Sequence, residues 1–125
     1  MDHADLCRRL FSGLEDADDA ATEAVCAPGM TAVQNGAPAM SLKDLQGFNH
    51  AVHKVVPDFH YEDCVCAVTA TGFVEEHRVC GTLPDGSALN LFACVVGDVE
   101  DGKIIALREY IDGFAARGLL KALQG

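Results

Sequence analysis

The sequence predicts an α+β domain in which a curved antiparallel sheet covers three N-terminal helices, with a short helix at the C-terminal end. Two observations support this prediction. Residues 1–56 contain three stretches with helical patterning, whereas residues 59–111 form short runs rich in β-branched and aromatic residues. Helices followed by a meander of hairpins are typical of α+β domains, because the helices cover one apolar face of the sheet.

The first two helices follow from spacing and charge. Leu6, Leu10 and Leu14 recur every four residues and predict an amphipathic helix over residues 2–14. Residues 18–26 are rich in alanine and begin with carboxylates, which the helix dipole favours in a first turn. They predict a short second helix.

The third helix is predicted from its cap and its faces. Ser41 and Asp44 stand in capping-box positions, and Pro57 ends the run. The apolar residues fall on one predicted face: Leu45, Phe48, Val52, Val55 and Val56. The polar residues fall on the other: Lys43, Asn49, His50, His53 and Lys54.

Five strands and a terminal helix complete the predicted elements. The strands are expected at residues 30–34, 59–70, 72–82, 87–99 and 103–111, and the helix at residues 114–123. Residues 84–86 and 101–102 are Pro-Asp-Gly and Asp-Gly sequences, which favour tight hairpins. No linker or repeat interrupts this order, so residues 1–125 are expected to form a single domain.

Composition limits the class of protein. Half of the 125 residues are hydrophobic and no apolar run is long enough to cross a membrane, so a soluble protein without a membrane partner is expected. The start of the sequence lacks the pattern of a secretory signal, and a cytoplasmic location is expected. A net charge of -10 would repel a phosphate backbone, which argues against nucleic acid as a partner.

The six cysteines are expected to be free, mostly buried thiols, because a domain with this apolar content needs no disulfides. Cys64 and Cys66 have one residue between them, which is closer than structural zinc sites usually place their thiols. Neither a metal ion nor an organic cofactor is expected.

The last strand places one acid among apolar residues. By strand alternation, Ile105, Leu107, Glu109 and Ile111 share one face, opposite Ile104. If the apolar members face the core, Glu109 lies in an apolar wall. The same alternation groups Leu89, Leu91, Ala93 and Val95 on the preceding strand, and Glu76, Arg78 and Cys80 on the strand before it.

Residues 99–112, Val-Glu-Asp-Gly-Lys-Ile-Ile-Ala-Leu-Arg-Glu-Tyr-Ile-Asp, resemble the closing hairpin of SnoaL-like proteins in the nuclear transport factor 2-like superfamily. That superfamily also includes polyketide cyclases, limonene epoxide hydrolases and ketosteroid isomerases. The resemblance extends through residues 78–90 and 33–35, and so spans nearly the whole chain. It implies a cone-shaped sheet wrapped around the third helix, a pocket between them, and a homodimer through the outer sheet face, where Val79, Phe92 and Cys94 are expected.

The resemblance also implies site residues. Polyketide cyclases and epoxide hydrolases of the superfamily carry a functional acid where this chain has Glu109. The hydrolases have an asparagine on the first strand and an arginine on a middle strand, which Asn35 and Arg78 resemble. The expected catalytic set is therefore Glu109, Arg78 and Asn35, with Arg78 facing Glu109 across the pocket. The expected ligand-binding residues are Leu14, Val33, Phe48, Val52, Phe59, Cys80, Leu91, Ala93, Leu107 and Ile111.

Departures from these relatives leave several readings open. Val33 and Cys80 stand where the hydrolases have a tyrosine and a second acid, which argues against epoxide hydrolysis. Phe11 on the first helix offers no hydroxyl for an oxyanion hole of the ketosteroid isomerase type. Arg78 can equally be an ion-pair partner and Asn35 a turn residue. His77, on the face opposite Arg78, is expected at the surface or in an interface.

Two functions are compatible with these residues. The first is a cofactor-independent cyclase, isomerase or hydrolase in which Glu109 transfers a proton to or from a small, mostly apolar or polycyclic compound. The alternative is a non-catalytic module for small-molecule binding or dimerisation.

Overall fold

The computed structural model describes residues 1–125. Its helices are α1 (His3–Glu15), α2 (Asp19–Val25), α3 (Leu42–Val55) and α4 (Arg117–Gln124). Its strands are β1 (Cys26–Gln34), β2 (Met40–Ser41), β3 (His60–Val68), β4 (Gly72–Thr82), β5 (Ala88–Glu100) and β6 (Lys103–Ile111). None of the helices is long and apolar enough to cross a membrane.

The predicted α+β class is confirmed. The six strands form one sheet in the order β2-β1-β6-β5-β4-β3. Strands β3 to β6 are an antiparallel meander, as hairpin turns require, but β1 pairs with β6 in parallel. The sheet is therefore mixed rather than wholly antiparallel. β1 precedes β6 by about 70 residues of chain, so no tight turn dictates their relative direction.

The third helix begins as the sequence predicts and packs differently on one side. The Ser41 side chain accepts a hydrogen bond from the Asp44 backbone N–H, and Asp44 accepts one from Ser41, which completes the capping box. Asn49 and His53 do not face solvent. Both direct a side-chain nitrogen to the Leu14 carbonyl oxygen, at 3.0 and 2.9 Å, and so join α3 to the end of α1.

The core lies between the helices and the inner face of the sheet. Its first cluster combines α1 residues such as Leu6 and Leu10 with Phe73 on β4. Phe73 pairs with Gly97 on β5, and a Cβ at Gly97 would lie 2.3 Å from the Phe73 ring, so only glycine fits there. The second cluster joins α3, α4 and the opposite end of the sheet.

The side chains of β4 face the opposite way from the prediction. The β4–β5 hairpin pairs Thr82 with Ala88 across a five-residue loop, and hence Val79 with Leu91 and His77 with Ala93. Paired residues of antiparallel strands share a face. Since Leu91 faces the core, Val79 and its alternate neighbours do too, whereas Arg78 and Cys80 face outward.

A β-bulge shifts the register at the start of β6. Asp98 pairs with Ala106 but Val99 pairs with Ile104, so Ile105 is an extra residue in the ladder. Ile104 is consequently fully buried, and it replaces Ile105 on the inner face. Beyond this bulge, Leu107, Glu109 and Ile111 keep their predicted common face.

The outer face of the sheet carries exposed aromatic side chains. Phe92 is 71% exposed and Tyr110 is 52% exposed, and they lie diagonally across β5 and β6. Cys94 lies beside them, whereas Val79 is buried on the inner face and does not contribute. The homodimer through this face remains a prediction.

We expect Phe92→Asp to convert such a dimer to a monomer, because it replaces the most exposed aromatic side chain of this face with a charge. Light scattering coupled to gel filtration would measure the mass. Phe114→Asp is the matched control, because Phe114 is 72% exposed in the turn after β6 and lies off the sheet. An unchanged mass for the F92D variant of a dimeric protein would contradict this interface.

Candidate functional site

An apolar cavity lies between α3 and the inner face of the sheet, with α1 and α4 at its sides. The cavity volume open to the centres of water molecules is about 110 Å³. One water molecule needs roughly 10–15 Å³ of such volume. Eighteen of its 22 lining residues are hydrophobic. The four polar ones are Gln34, Asn49, His77 and Glu109. Such a cavity suits a small apolar molecule with a few oriented polar atoms.

Most of the expected ligand-binding residues line this cavity. They are Leu14, Val33, Phe48, Val52, Phe59, Leu91, Leu107 and Ile111, and Glu109 lies among them. Ala93 does not line the cavity, because its small side chain is covered within the second core cluster. Their binding role stays a prediction.

Arg78 and Cys80 lie on the other side of the sheet, so the expected approach of Arg78 to Glu109 is wrong. The Arg78 guanidinium donates to Asp63 Oδ2 at 2.7 Å and Asn90 Oδ1 at 3.0 Å on the outer face. Cys80 is buried beside it. The cause is the odd number of loop residues between β4 and β5, which reverses the faces expected from the sequence.

Asn35 does not line the cavity either. It occupies a turn with φ of +50°, a conformation that asparagine tolerates better than most residues. Its side-chain oxygen accepts from the Ile111 N–H at 2.9 Å, and its amide donates to the Ile111 oxygen at 3.1 Å. Asn35 therefore fastens the end of β1 to the end of β6, and its role is structural.

Glu109 is the acid of the cavity wall. Its neighbour in the β1–β6 register is Gln34, whose amide nitrogen donates a hydrogen bond to Glu109 Oε1. Loss of hydration raises the pKa of Glu109 above its ordinary value of 4.5, and the nearby charge of Glu75 raises it further. The Gln34 hydrogen bond and His77 oppose this shift. The net result is a carboxyl group that holds its proton to a higher pH than a solvated glutamate.

We expect Glu109→Gln to stabilise the protein at neutral pH and not under acidic conditions. Because the pKa is raised in the folded state, the native protein binds this proton more tightly than the unfolded chain does. Stability from this group is thus complete below pH 4.5 and is lost as the pH rises through the folded pKa. Thermal melts of both proteins between acidic and neutral pH measure the difference. A stability gain for the variant that is largest in acid would contradict the raised pKa.

A buried His77–Glu75 pair, which the sequence did not predict, lies on β4. His77 Nδ1 lies 2.5 Å from Glu75 Oε1, and both side chains are almost fully shielded from solvent. Nε2 of His77 makes no hydrogen bond to another protein atom, and His77 lines the cavity. A Glu-x-His pattern on a strand is a usable sequence signal only when the facing of that strand is known.

Strand register brings this pair close to Glu109. Glu75 pairs with Val95, and Val95 pairs with Glu109, so the two acids occupy one row across three strands. Two strand spacings separate their backbones by roughly 10 Å. His77 occupies the next row, with the small Ala93 between it and Ile111. The imidazole and the Glu109 carboxyl group therefore border the same space.

Tyr61 also lines the cavity. Its ring centroid lies 4.2 Å from that of His77, and Phe11 and Phe59 pack against it at 5.9 and 5.2 Å. Burial raises the pKa of Tyr61 well above its ordinary value, and the charge of Glu109 adds to this effect. The phenol thus stays protonated and available as a hydrogen-bond donor.

Comparison with solved structures identifies the fold. A SnoaL-like polyketide cyclase, described as putative, from Jannaschia sp. CCS1 superposes with a TM-score of 0.81 at 18% identity, covering 98% of this chain and 92% of that one. IdmH from Streptomyces antibioticus, also described as a putative polyketide cyclase, gives 0.83 at 15% identity over 100% of both chains. A hypothetical protein with a ketosteroid isomerase-like fold from Catenulispora acidiphila, solved with trimethylamine, gives a TM-score of 0.74 at 10% identity, covering 87% of this chain and 86% of that one.

These matches confirm the fold that the sequence resemblance implied. The chain shares the fold of these SnoaL-like and ketosteroid isomerase-like structures. No protein-family model and no curated protein sequence matches it. This fold hosts many unrelated activities, so the cavity and not the fold defines the function.

Proposed function

We propose that the cavity catalyses proton transfer on a small, mostly apolar carbonyl compound, as an isomerase or a ring-closing cyclase that needs neither a metal ion nor an organic cofactor. The observation that carries this proposal is the pair of titratable groups in one apolar space. His77, oriented by Glu75, and Glu109, with its raised pKa, border the same cavity.

His77 is the base of the proposed reaction. An ionised Glu75 can only accept a hydrogen bond, so the shared hydrogen sits on His77 Nδ1. Nε2 then presents its lone pair to the cavity, the arrangement that makes histidine a general base in other enzymes. A proton on the carbon next to the substrate carbonyl moves to Nε2, and the electron pair of that C–H bond forms the enolate.

Glu109 is the acid. Its protonated carboxyl group donates to the substrate oxygen on which negative charge develops, and it can transfer its proton to form the enol. The Gln34 amide, which holds Oε1, fixes the orientation of the carboxyl group. The Tyr61 hydroxyl is a second donor to the same region. In a cyclisation, the enol carbon then attacks a second carbonyl carbon of the substrate, and the oxygen of the opened C=O bond takes the proton from His77. In an isomerisation, that proton returns to another carbon of the substrate.

The shape of the cavity supports the substrate class. Eighteen hydrophobic lining residues favour an apolar body, and three of the four polar ones, Gln34, His77 and Glu109, lie near one another on the sheet. The solved structures described as putative polyketide cyclases share this fold. A polyketide precursor combines an apolar body with carbonyl groups, and so matches this lining.

A probe reaction tests the proposal without knowledge of the natural substrate. Deuterium incorporation at the α-carbon of 2-tetralone or cyclohexanone in D₂O, followed by proton NMR, reports C–H abstraction directly. We expect the wild-type protein to accelerate this exchange. Binding of the ketones without accelerated exchange would instead support the non-catalytic binding module.

We expect Glu75→Gln to slow the exchange by about 10–100-fold, the usual cost of removing a group that fixes the tautomer of a functional histidine. The reason is that a glutamine side chain does not hold the hydrogen on Nδ1 as a carboxylate does. The rate at saturation should fall while the ketone concentration for half-saturation changes little. Glu76→Gln, on the exposed outer face of β4, is the matched control. Equal rates for the E75Q and E76Q variants would contradict the orienting role.

A further inference from the structure

A second cluster of reactive side chains lies on the outer face of the sheet, away from the cavity. The β3–β4 register pairs His60 directly with Cys80. Glu62, two residues further along β3, shares their face. An imidazole nitrogen, a carboxylate oxygen and the Cys80 sulfur all lie within 4.8 Å of one another. The backbone pairing thus brings three different metal-binding side chains together.

We propose that His60, Glu62 and Cys80 bind a zinc ion. Zinc takes thiolate, imidazole and carboxylate ligands in a tetrahedral arrangement, at about 2.0–2.3 Å. Atoms that share such an ion lie no more than roughly 4.6 Å apart, so small side-chain rotations complete the site. A water molecule would fill the fourth position. The soft sulfur ligand favours zinc over magnesium or calcium.

An outer-shell contact already prepares His60 for this role. Its Nδ1 lies 2.8 Å from the Asp58 carbonyl oxygen, a contact in which Nδ1 carries the hydrogen. Nε2 lies 2.9 Å from Glu62 Oε2, a hydrogen bond in which Nε2 also carries a hydrogen, so zinc would release that proton to solvent and bind between the two atoms. In metal sites, the histidine nitrogen that does not bind the metal generally donates a hydrogen bond, as Nδ1 of His60 does to Asp58.

The charges around the cluster also suit a divalent cation. Arg78 donates to Asp63 and Glu62 and lies 3.8 Å from the Cys80 sulfur. When the metal–sulfur bond forms, the thiol proton passes to solvent. Two carboxylates and one thiolate then face a single guanidinium, and a divalent ion balances the remaining charge.

The location gives the site a structural consequence. β3 is an edge strand, and its pairing with β4 is interrupted between Glu62 and Val65, next to the proposed ligands. Tyr61 lies between two of the ligands and faces the opposite way, into the cavity. A bound ion would therefore fasten the strand segment that carries Tyr61. The inference does not depend on the proposed catalysis.

Metal titration of the purified full-length protein tests it. Cobalt(II) is the spectroscopic probe, because thiolate ligation adds a charge-transfer absorption in the near ultraviolet, and zinc should displace it at one ion per chain. Cys80→Ser should abolish that absorption, and His60→Ala should weaken zinc binding by more than about tenfold, at least the cost of an outer-shell loss. His60 and Glu62 are half exposed, so their variants should fold.

The control replaces Cys64 and Cys66, the exposed cysteines of β3. The C64S/C66S variant should keep both the cobalt absorption and the zinc affinity of the wild type. Loss of the absorption in this control but not in C80S would place the metal elsewhere. Cobalt spectra without thiolate absorption, or zinc affinity unchanged in H60A and E62Q, would overturn the proposal.

Discussion

Replacing His77 with glutamine is expected to slow α-carbon deuterium exchange of 2-tetralone by about 10²–10⁴-fold, the usual contribution of a positioned general base. Glutamine keeps a polar side chain in the buried site but has no basic nitrogen to accept the carbon-bound proton. The Nε2 atom that it removes is the only basic nitrogen among the cavity-lining side chains. The fold should survive, because the substitution roughly conserves volume.

His50→Gln is the matched control for this experiment. His50 lies on the exposed side of α3, where its Nε2 contacts Asp19 at 3.0 Å. Its replacement should leave the exchange rate unchanged. If H77Q and H50Q exchanged the ketone equally fast, His77 would not be the base.

Replacing Glu109 with leucine is expected to lower the α-carbon exchange rate by about 10²–10³-fold, comparable to removal of one donor from an oxyanion hole. Leucine fits the apolar surroundings of Val95 and Leu107 but cannot donate to the substrate oxygen. Glu109→Gln should lose less, because an amide can still donate a hydrogen bond even though it cannot give up a proton. The pair of variants thus separates hydrogen-bond donation from proton transfer.

The exchange rates should be compared at equal occupancy of the cavity. Ketone binding can be followed by the chemical shifts of Leu107 and Ile111, whose side chains line it. Wild-type exchange in the E109L variant, with the ketone bound, would show that the carboxyl group does not act on the substrate.

The position of Glu109 was predictable because its strand obeys simple alternation after the bulge. Leu107, Glu109 and Ile111 follow one another on one face, and the tight turn at residues 101–102 leads directly from β5 into β6. The helical boundaries were predictable for a similar reason, since caps such as Ser41 act locally.

The position of His77 was not predictable from alternation alone. Which face of β4 meets the core depends on how its hairpin with β5 closes, and a one-residue change in the loop reverses every side chain. Residues 84–86 favour a turn, but they do not determine the length of the loop, which has five residues between Thr82 and Ala88. The same ambiguity placed Arg78 in the cavity and His77 outside it. Asn35 was misassigned because its partner, Ile111, lies 76 residues away.

The most direct measurement is the α-carbon exchange rate of a cavity-bound ketone in the presence of the wild-type protein and of the H77Q/E109L double variant. We expect the wild type to exceed the double variant by at least about 10²-fold, because both partners of the acid–base pair are then missing. A ketone that occupies the cavity of both proteins and exchanges at the same rate would contradict acid–base catalysis by His77 and Glu109.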